Sequence, residues 1–155
     1  MSHEERIRSQ GIELPKASPP VGLYVGAVRT GDQLHVGGHG PIRADGKPVI
    51  GKVGDTVSLE EAREAARLTG LQILASARAE LGSLDAVRRV VKVFGMVNCA
   101  PGFNRMPAVI DGCSQLFLDV FGDAGVHTRS AVGMAELPFD IATEIEAVFE
   151  VEPER

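Results

Sequence analysis

The chain is short of the features by which many proteins reveal their chemistry. It holds two cysteines, Cys99 and Cys113, and they form no CxxC pair. No disulfide scaffold is implied, and a reducing compartment fits. No apolar run approaches the roughly 20 residues that a membrane helix needs. The N-terminus has no continuous apolar stretch of the kind a signal peptide carries. The expectation is a soluble cytoplasmic protein with no membrane partner. Sixteen basic residues stand against 21 acidic ones, for a net charge of −5. That balance argues against a nucleic-acid partner, because phosphates are neutralised by a basic face. No GxSxG, P-loop or GxGxxG occurs in its proper context.

What is present is ordinary for a globular chain. Apolar residues make up 44% and charged residues 24%, near the average for folded domains. A chain of 155 residues forms one domain and buries about two-thirds of its unfolded surface. Residues 1–19 read as an N-terminal arm, a short helix or a loose segment ahead of Pro15, Pro19 and Pro20; residues 20–155 read as a single domain. Residues 23–28 read as a strand, Thr30-Gly31-Asp32 as a turn, and residues 33–38 as the returning strand. Residues 40–56, rich in glycine and proline, read as a long surface loop. Ser58 and Glu61 form a capping box at the head of a helix that Gly82 closes. Residues 90–97, β-branched and apolar, read as a central strand. Pro107 opens a second amphipathic helix through Val109, Ile110, Cys113, Leu116 and Phe117, which ends at Gly122.

The last quarter carries the clearest pattern. Residues 127–138 and 141–151 both alternate, as half-buried strands do. Ser130, Val132 and Met134 point one way; Arg129, Ala131 and Gly133 point the other. Ile145, Ala147 and Phe149 share one face, and Glu144, Glu146 and Val148 share the opposite one. Residues 137–140 read as a turn, so the two strands are expected to form a hairpin. Centred near Leu137, that hairpin puts Arg129 close to Glu144; centred on Pro138 and Phe139, it puts Val148 opposite Arg129. Both registers keep the apolar faces together and both stay open. Either way Arg129 is expected on the carboxylate-bearing face beside two very small residues. That leaves room for a ligand, for another subunit, or for solvent around an exposed ion pair.

The element order β-β-α-β-α-β-β predicts an α+β fold, a mixed sheet with two helices packed on one face. The other face, with Val25, Ala27 and Val148, is then uncovered, and a homo-oligomer is the first expectation.

Few residues remain as candidates for chemistry. His35 and His39 fall on a strand and a loop, not on one helix face, so with Cys99 and Cys113 they read as unrelated residues and no metal site is expected. Cys113 falls on an apolar helical stripe and reads as core; Cys99 sits in a loop with no visible neighbour to lower its pKa. Tyr24, the only tyrosine, reads as an aromatic anchor or as a pocket wall. Arg129 can grip a carboxylate bidentately, and Glu144 can hold or activate water. Together they suit hydrolysis of a polarised C=N bond.

Several segments resemble the YjgF/RidA family: Gly22-Leu23-Tyr24-Val25, Gly37-Gly38-His39-Gly40-Pro41, and above all Arg129-Ser130-Ala131-Val132 followed by Leu137-Pro138 and Glu144-Ile145-Glu146-Ala147. The resemblance runs from about residue 20 to residue 151. It implies a chorismate-mutase-like fold and a homotrimer with clefts between subunits. It also implies hydrolysis of reactive 2-imino and enamine acids to 2-oxo acids and ammonia, with no metal and no cofactor. On that resemblance Arg129 matches the arginine that grips the substrate carboxylate and Glu144 the glutamate that positions water. Tyr24 and Gly38 match residues that line the pocket. Ala131 stands where the family usually has a cysteine whose backbone helps form the site, and Gly37 stands where a serine is usual. Asp111 or Gly112 falls where an asparagine is typical. The N-terminal arm and the segment around 122–125 exceed the family pattern and mark a longer, divergent branch, in which Cys99 and His127 are candidate pocket residues. The alternative reading is a non-catalytic trimer that binds a small carboxylate and reports it to a partner. The ribonuclease or translation-inhibitor activity attached to some relatives is disfavoured by the acidic charge.

Overall fold

The computed structural model describes residues 1–154. In chain order its elements are α1 (His3–Ser9), β1 (Ala27–Thr30), β2 (Gln33–His39), α2 (Leu59–Leu81), β3 (Val87–Asn98), α3 (Met106–Phe121), β4 (Thr128–Met134) and β5 (Thr143–Val151). The strands form one mixed sheet in the order β1-β2-β5-β3-β4. Helices α2 and α3 pack on one face of it, and the fold is the expected α+β class.

Local signals explain the helices. Ser58 and Glu61 complete the capping box of α2, and Gly82 caps its end in the left-handed region (φ 83°). The buried side of α2 is Ala62, Ala65, Ala66, Ile73 and Ala77, small enough for close packing. It packs tightly on α3 at Gly112, where a Cβ would run into the Arg63 carbonyl. Between sheet and helices lie Phe117, Phe149, Ile73, Ile110, Val90 and Val93, all fully buried. Each such side chain contributes about 1.5–3 kcal/mol of burial free energy.

The sheet departs from the expected closing hairpin. β4 does not pair with β5. It runs parallel to β3, with Arg129 beside Val93, while β5 runs antiparallel along the other side of β3, with Glu144 opposite Met96. The reason lies in β3, whose Val90, Val93 and Val97 are fully buried. It takes a partner on both edges, β4 on one and β5 on the other. Residues 137–140 do turn, with Phe139 and Asp140 at positive φ, but the chain passes the end of β3 and returns along its other edge instead of along β4. Alternation reports which side chains are buried, not which strand is the neighbour.

This reassigns the faces. Arg129, Ala131 and Gly133 share a side with Val93, Gly95 and Val97, which is the helix side. Glu144, Glu146 and Val148 share the uncovered side with Met96, Phe94 and Lys92.

Two further segments differ from the reading above, and a third takes one of its two stated forms. The first strand is only Ala27–Thr30; residues 21–25 run exposed ahead of it. Residues 40–56 are not a free surface loop, since Pro41, Val49 and Val53 are buried and Val53 bridges to Cys99. Of the two readings of residues 1–10, the structure has the helix. Ser2 caps α1, Ile7 is buried, and Glu4 pairs with Arg78 at 2.9 Å.

Candidate functional site

Arg129 lies on the edge strand β4 and reaches over α3. Its Nη1 donates to Asp111 Oδ1 at 2.7 Å and to Ser114 Oγ at 3.1 Å, and its Nη2 donates to the Pro107 carbonyl at 3.3 Å. Ser114 in turn is bonded to His127 Nε2 at 2.9 Å, and His127 Nδ1 lies 2.6 Å from the Gly125 carbonyl. A carbonyl can only accept, so Nδ1 carries the ring proton, Nε2 is the acceptor, and the Ser114 hydroxyl donates to it. Burial lowers the pKa of His127, and the nearby Arg129 charge lowers it further against the Gly125 carbonyl. A neutral ring at neutral pH agrees with this bonding pattern. Asp111 and His127 thus both converge on Arg129, one directly and one through Ser114. Arg129 does make an ion pair, one of the readings left open for it, and its partner is Asp111 on the helix side.

Glu144 lies elsewhere. Between the pairs Val36–Ala147 and His39–Ile145, Gly37 and Gly38 stand against the single residue Glu146, a β-bulge. Gly38 passes directly over Glu144, so that a Cβ there would overlap its carboxylate. Among the described residues the Glu144 carboxylate has no hydrogen-bond or ion-pair partner. Burial raises its pKa above the ordinary carboxylate value, and the neighbouring Glu146 charge adds to that. The Gly37 amide donates to the Gly26 carbonyl at 3.0 Å, which ties the bulge to the segment bearing Tyr24. Tyr24 is half-exposed, and its hydroxyl accepts from the Val21 amide at 3.3 Å. A concavity of about 500 Å³ on the same uncovered face is lined by His35, Gly37, Lys92, Phe94, Glu146 and Val148.

The candidate residues therefore fall into two groups on opposite faces of the sheet. Arg129, Ala131, Asp111 and His127 make one, Glu144, Gly37 and Gly38 the other. Arg129 and Glu144 are two strands and three positions apart, or roughly 14 Å between Cα atoms by standard strand geometry. One small ligand cannot bridge them within one chain.

Cys99 stands apart from His127. It packs near Gly133, where a Cβ would lie 3.0 Å from its sulfur, and burial raises its pKa against the opposing Lys52 charge. A raised thiol pKa disfavours the nucleophilic thiolate. Cys113 is fully buried in the core. His35 is exposed and bonded to Gln33, while His39 turns to the helix side and bonds Ser76 at 2.7 Å. Of Asp111 and Gly112, only Asp111 reaches Arg129.

Sequence reasoning missed Ser114 and the Pro107 carbonyl. Their signal was available: Pro107, Asp111 and Ser114 are spaced i, i+4, i+7 along α3, one helical stripe.

A family model described as "YjgF/chorismate_mutase-like, putative endoribonuclease" matches residues 4–146. The chain is 43% identical over 142 residues to Protein TCP17 of Trypanosoma cruzi, covering 91% of this chain and 89% of that one. It is 30% identical over 142 residues to a 2-iminobutanoate/2-iminopropanoate deaminase of Dermatophagoides farinae, covering 91% and 95%. Among solved structures it is similar to the protein Atu1372 of Agrobacterium tumefaciens, of unknown function. That match has a TM-score of 0.88 and 39% identity, over 97% of this chain and 92% of that one.

Proposed function

The chain belongs to the YjgF/chorismate-mutase-like family, and from that premise we propose that it hydrolyses 2-imino acids, with their enamine tautomers, to 2-oxo acids and ammonia. The site is a cleft between two copies of the chain in a homotrimer. The observation that carries the reading is the lone Glu144 carboxylate under Gly38, half-buried and without a partner among the described residues, in a chain whose other candidate group, Arg129, faces the opposite way. A second copy brings its edge strand β4 to the uncovered face and supplies the arginine. The deaminase relative supports the substrate class.

In this cleft the substrate carboxylate docks on Arg129 of one subunit and C2 comes to rest near Glu144 of the other. Glu144 accepts a proton from a water molecule as its oxygen bonds to C2. The C=N π electrons pass to nitrogen, which takes that proton back from Glu144, giving a neutral carbinolamine. Glu144 then removes the carbinolamine hydroxyl proton and passes it to nitrogen, the C–N bond breaks, and ammonia leaves as the C=O forms. A carboxylate with a raised pKa suits both directions of transfer. Because the backbone of residue 131 is what the family uses, Ala131 keeps that contribution. No step requires a hydroxyl at Gly37.

The test couples the purified protein to an amino-acid oxidase or dehydratase that releases imines and follows 2-oxo acid or ammonia. Acceleration by the wild type, lost in Arg129→Ala with the oligomer intact, is the expected result. Thermal stabilisation by small carboxylates that depends on Arg129 but comes with no turnover would point to the non-catalytic binding reading instead.

A further inference from the structure

Asp111 contacts the carboxylate anchor, and its charge has the wrong sign for a group whose task is only to attract anions. We propose that Asp111 is a specificity-determining residue that acts as a charge filter. It admits 2-imino and 2-oxo acids with neutral or N–H-bearing side chains and disfavours dicarboxylates. The inference rests on the reading of Arg129 as the carboxylate anchor.

The ion pair leaves the anchor usable. A guanidinium has five N–H groups. Nη1 is taken up by Asp111 and Ser114, and Nη2 gives one bond to the Pro107 carbonyl. Among the described residues Nε has no partner, and Nη2 keeps one hydrogen beyond the bond to Pro107. Asp111 and Ser114 both sit on Nη1, so neither touches the Nε–Nη2 edge, the fork that fits a single carboxylate. Asp111 therefore fixes the guanidinium without occupying its free edge.

The charges then decide which ligand is accepted. Arg129 and Asp111 sum to zero, so the anchor has no surplus positive charge at long range. The first ligand carboxylate is compensated by two direct hydrogen bonds. A second carboxylate meets Asp111, whose side chain is 59% exposed and whose Oδ2 has no partner among the described residues. In the proposed cleft the neighbour's Glu144 and Glu146 add two more acidic groups. An amine or amide on the ligand side chain meets a free acceptor instead. Two like charges about 7 Å apart in a largely aqueous cleft repel enough to change affinity roughly 3- to 10-fold.

The experiment is calorimetric titration of the intact oligomer with 2-oxobutanoate and 2-oxoglutarate at low and moderate salt. The measurements are made on wild type, Asp111→Asn, Asp111→Ser and Arg129→Ala. Wild type should bind 2-oxobutanoate roughly 3- to 10-fold more tightly than 2-oxoglutarate, with the gap shrinking as salt rises. Asp111→Asn keeps the shape and a hydrogen-bonding oxygen; it should bring the two ligands within about 2-fold by tightening 2-oxoglutarate. Asp111→Ser serves the same purpose should the amide misplace Arg129. Equal weakening of both ligands in both variants, or no discrimination in wild type, would overturn the filter. Retention of both ligands by Arg129→Ala would refute the anchor reading itself, a separate failure.

Discussion

Arg129 and Glu144 sit on opposite faces of one sheet, with β3 between their strands. If both serve one site, that site takes one from each of two subunits, and the mutants should complement. Arg129→Ala and Glu144→Ala homo-oligomers are each expected to be inactive. Refolded together in equal amounts, they form rings in which some junctions join an intact Arg129 to an intact Glu144. For random assembly of a cyclic oligomer that fraction is about one quarter. The coupled assay on the mixture should recover about that share of wild-type activity. No recovery, with mixed oligomers verified by mass, would mean that the site is not shared.

Glu144 should reduce the stability of the fold at neutral pH. Its pKa is raised, chiefly by burial and then by Glu146. Folded chains therefore hold the proton to higher pH than unfolded ones, and the ionised form at neutral pH is the less stable folded state. Glu144→Gln removes this cost. The group is half-exposed, so solvent screening keeps the gain below about 1 kcal/mol, a rise in Tm of at most roughly 2–4 °C at pH 7–8 for a chain of this size. The difference should close as pH falls through the raised folded pKa toward the ordinary glutamate value near 4.3, where the wild-type residue is also neutral. Activity should drop by about 100-fold or more, because the amide cannot take the proton. Thermal melts across pH 4–8 together with the coupled assay check both halves.

Much of this was legible in the chain. The capping box at Ser58 and the glycine stop at Gly82 are local events, and the structure has both. The β-branched run through Val90, Val93 and Val97 marks a central strand. What could not be read is which strands flank it. A hairpin between β4 and β5 satisfies the same alternation as insertion of β3 between them, because period-two patterns carry no neighbour information. The hairpin put Arg129 on the carboxylate-bearing face, close to Glu144 in one of its two open registers, whereas the structure has it on the helix side, paired with Asp111. Asp111 came to notice only through its expected place in the family pattern. Its contact with Arg129 spans 18 positions, which no helical or strand period encodes.

Gly38 and Gly37 should respond differently to added atoms, although they are adjacent on the bulge. Neither has a positive φ, so space decides, not backbone strain. A Cβ at Gly38 overlaps the Glu144 carboxylate, whereas at Gly37 the nearest atom is the Gly26 carbonyl oxygen at 3.9 Å. Gly38→Ala is expected to turn the carboxylate aside and lower activity by about 10- to 100-fold, the usual effect of an ångström-scale misplacement. Gly37→Ser, which restores the common family residue, should stay within about 0.5 kcal/mol of wild type in stability. Denaturant melts and the coupled assay on the two variants compare them directly. Equal loss in both would mean that the bulge backbone, not the space above Glu144, is what matters.

His127 should give the fold an acid-side weakness that one substitution partly removes. Its ring is neutral, with Nδ1–H on the Gly125 carbonyl and Nε2 accepting from Ser114, and burial is the first cause of its lowered pKa. Above the ordinary histidine value of about 6.5 both folded and unfolded chains are neutral there and stability does not depend on this group. As pH falls below that value, the unfolded chain takes up a proton that the folded chain refuses, so stability drops until the folded pKa is passed. His127→Phe keeps the ring shape and abolishes this titration, but leaves the Ser114 hydroxyl without its acceptor. The variant should be less stable at pH 7.5 by roughly 1–3 kcal/mol and should lose less stability than wild type between pH 6.5 and pH 5. The slope that remains includes His39, whose pKa burial also lowers. Chemical denaturation at pH 7.5, 6.5 and 5 measures all three terms. A His127→Phe curve parallel to wild type would show that the ring is protonated as readily folded as unfolded, and no loss at pH 7.5 would show that Ser114 does not depend on it.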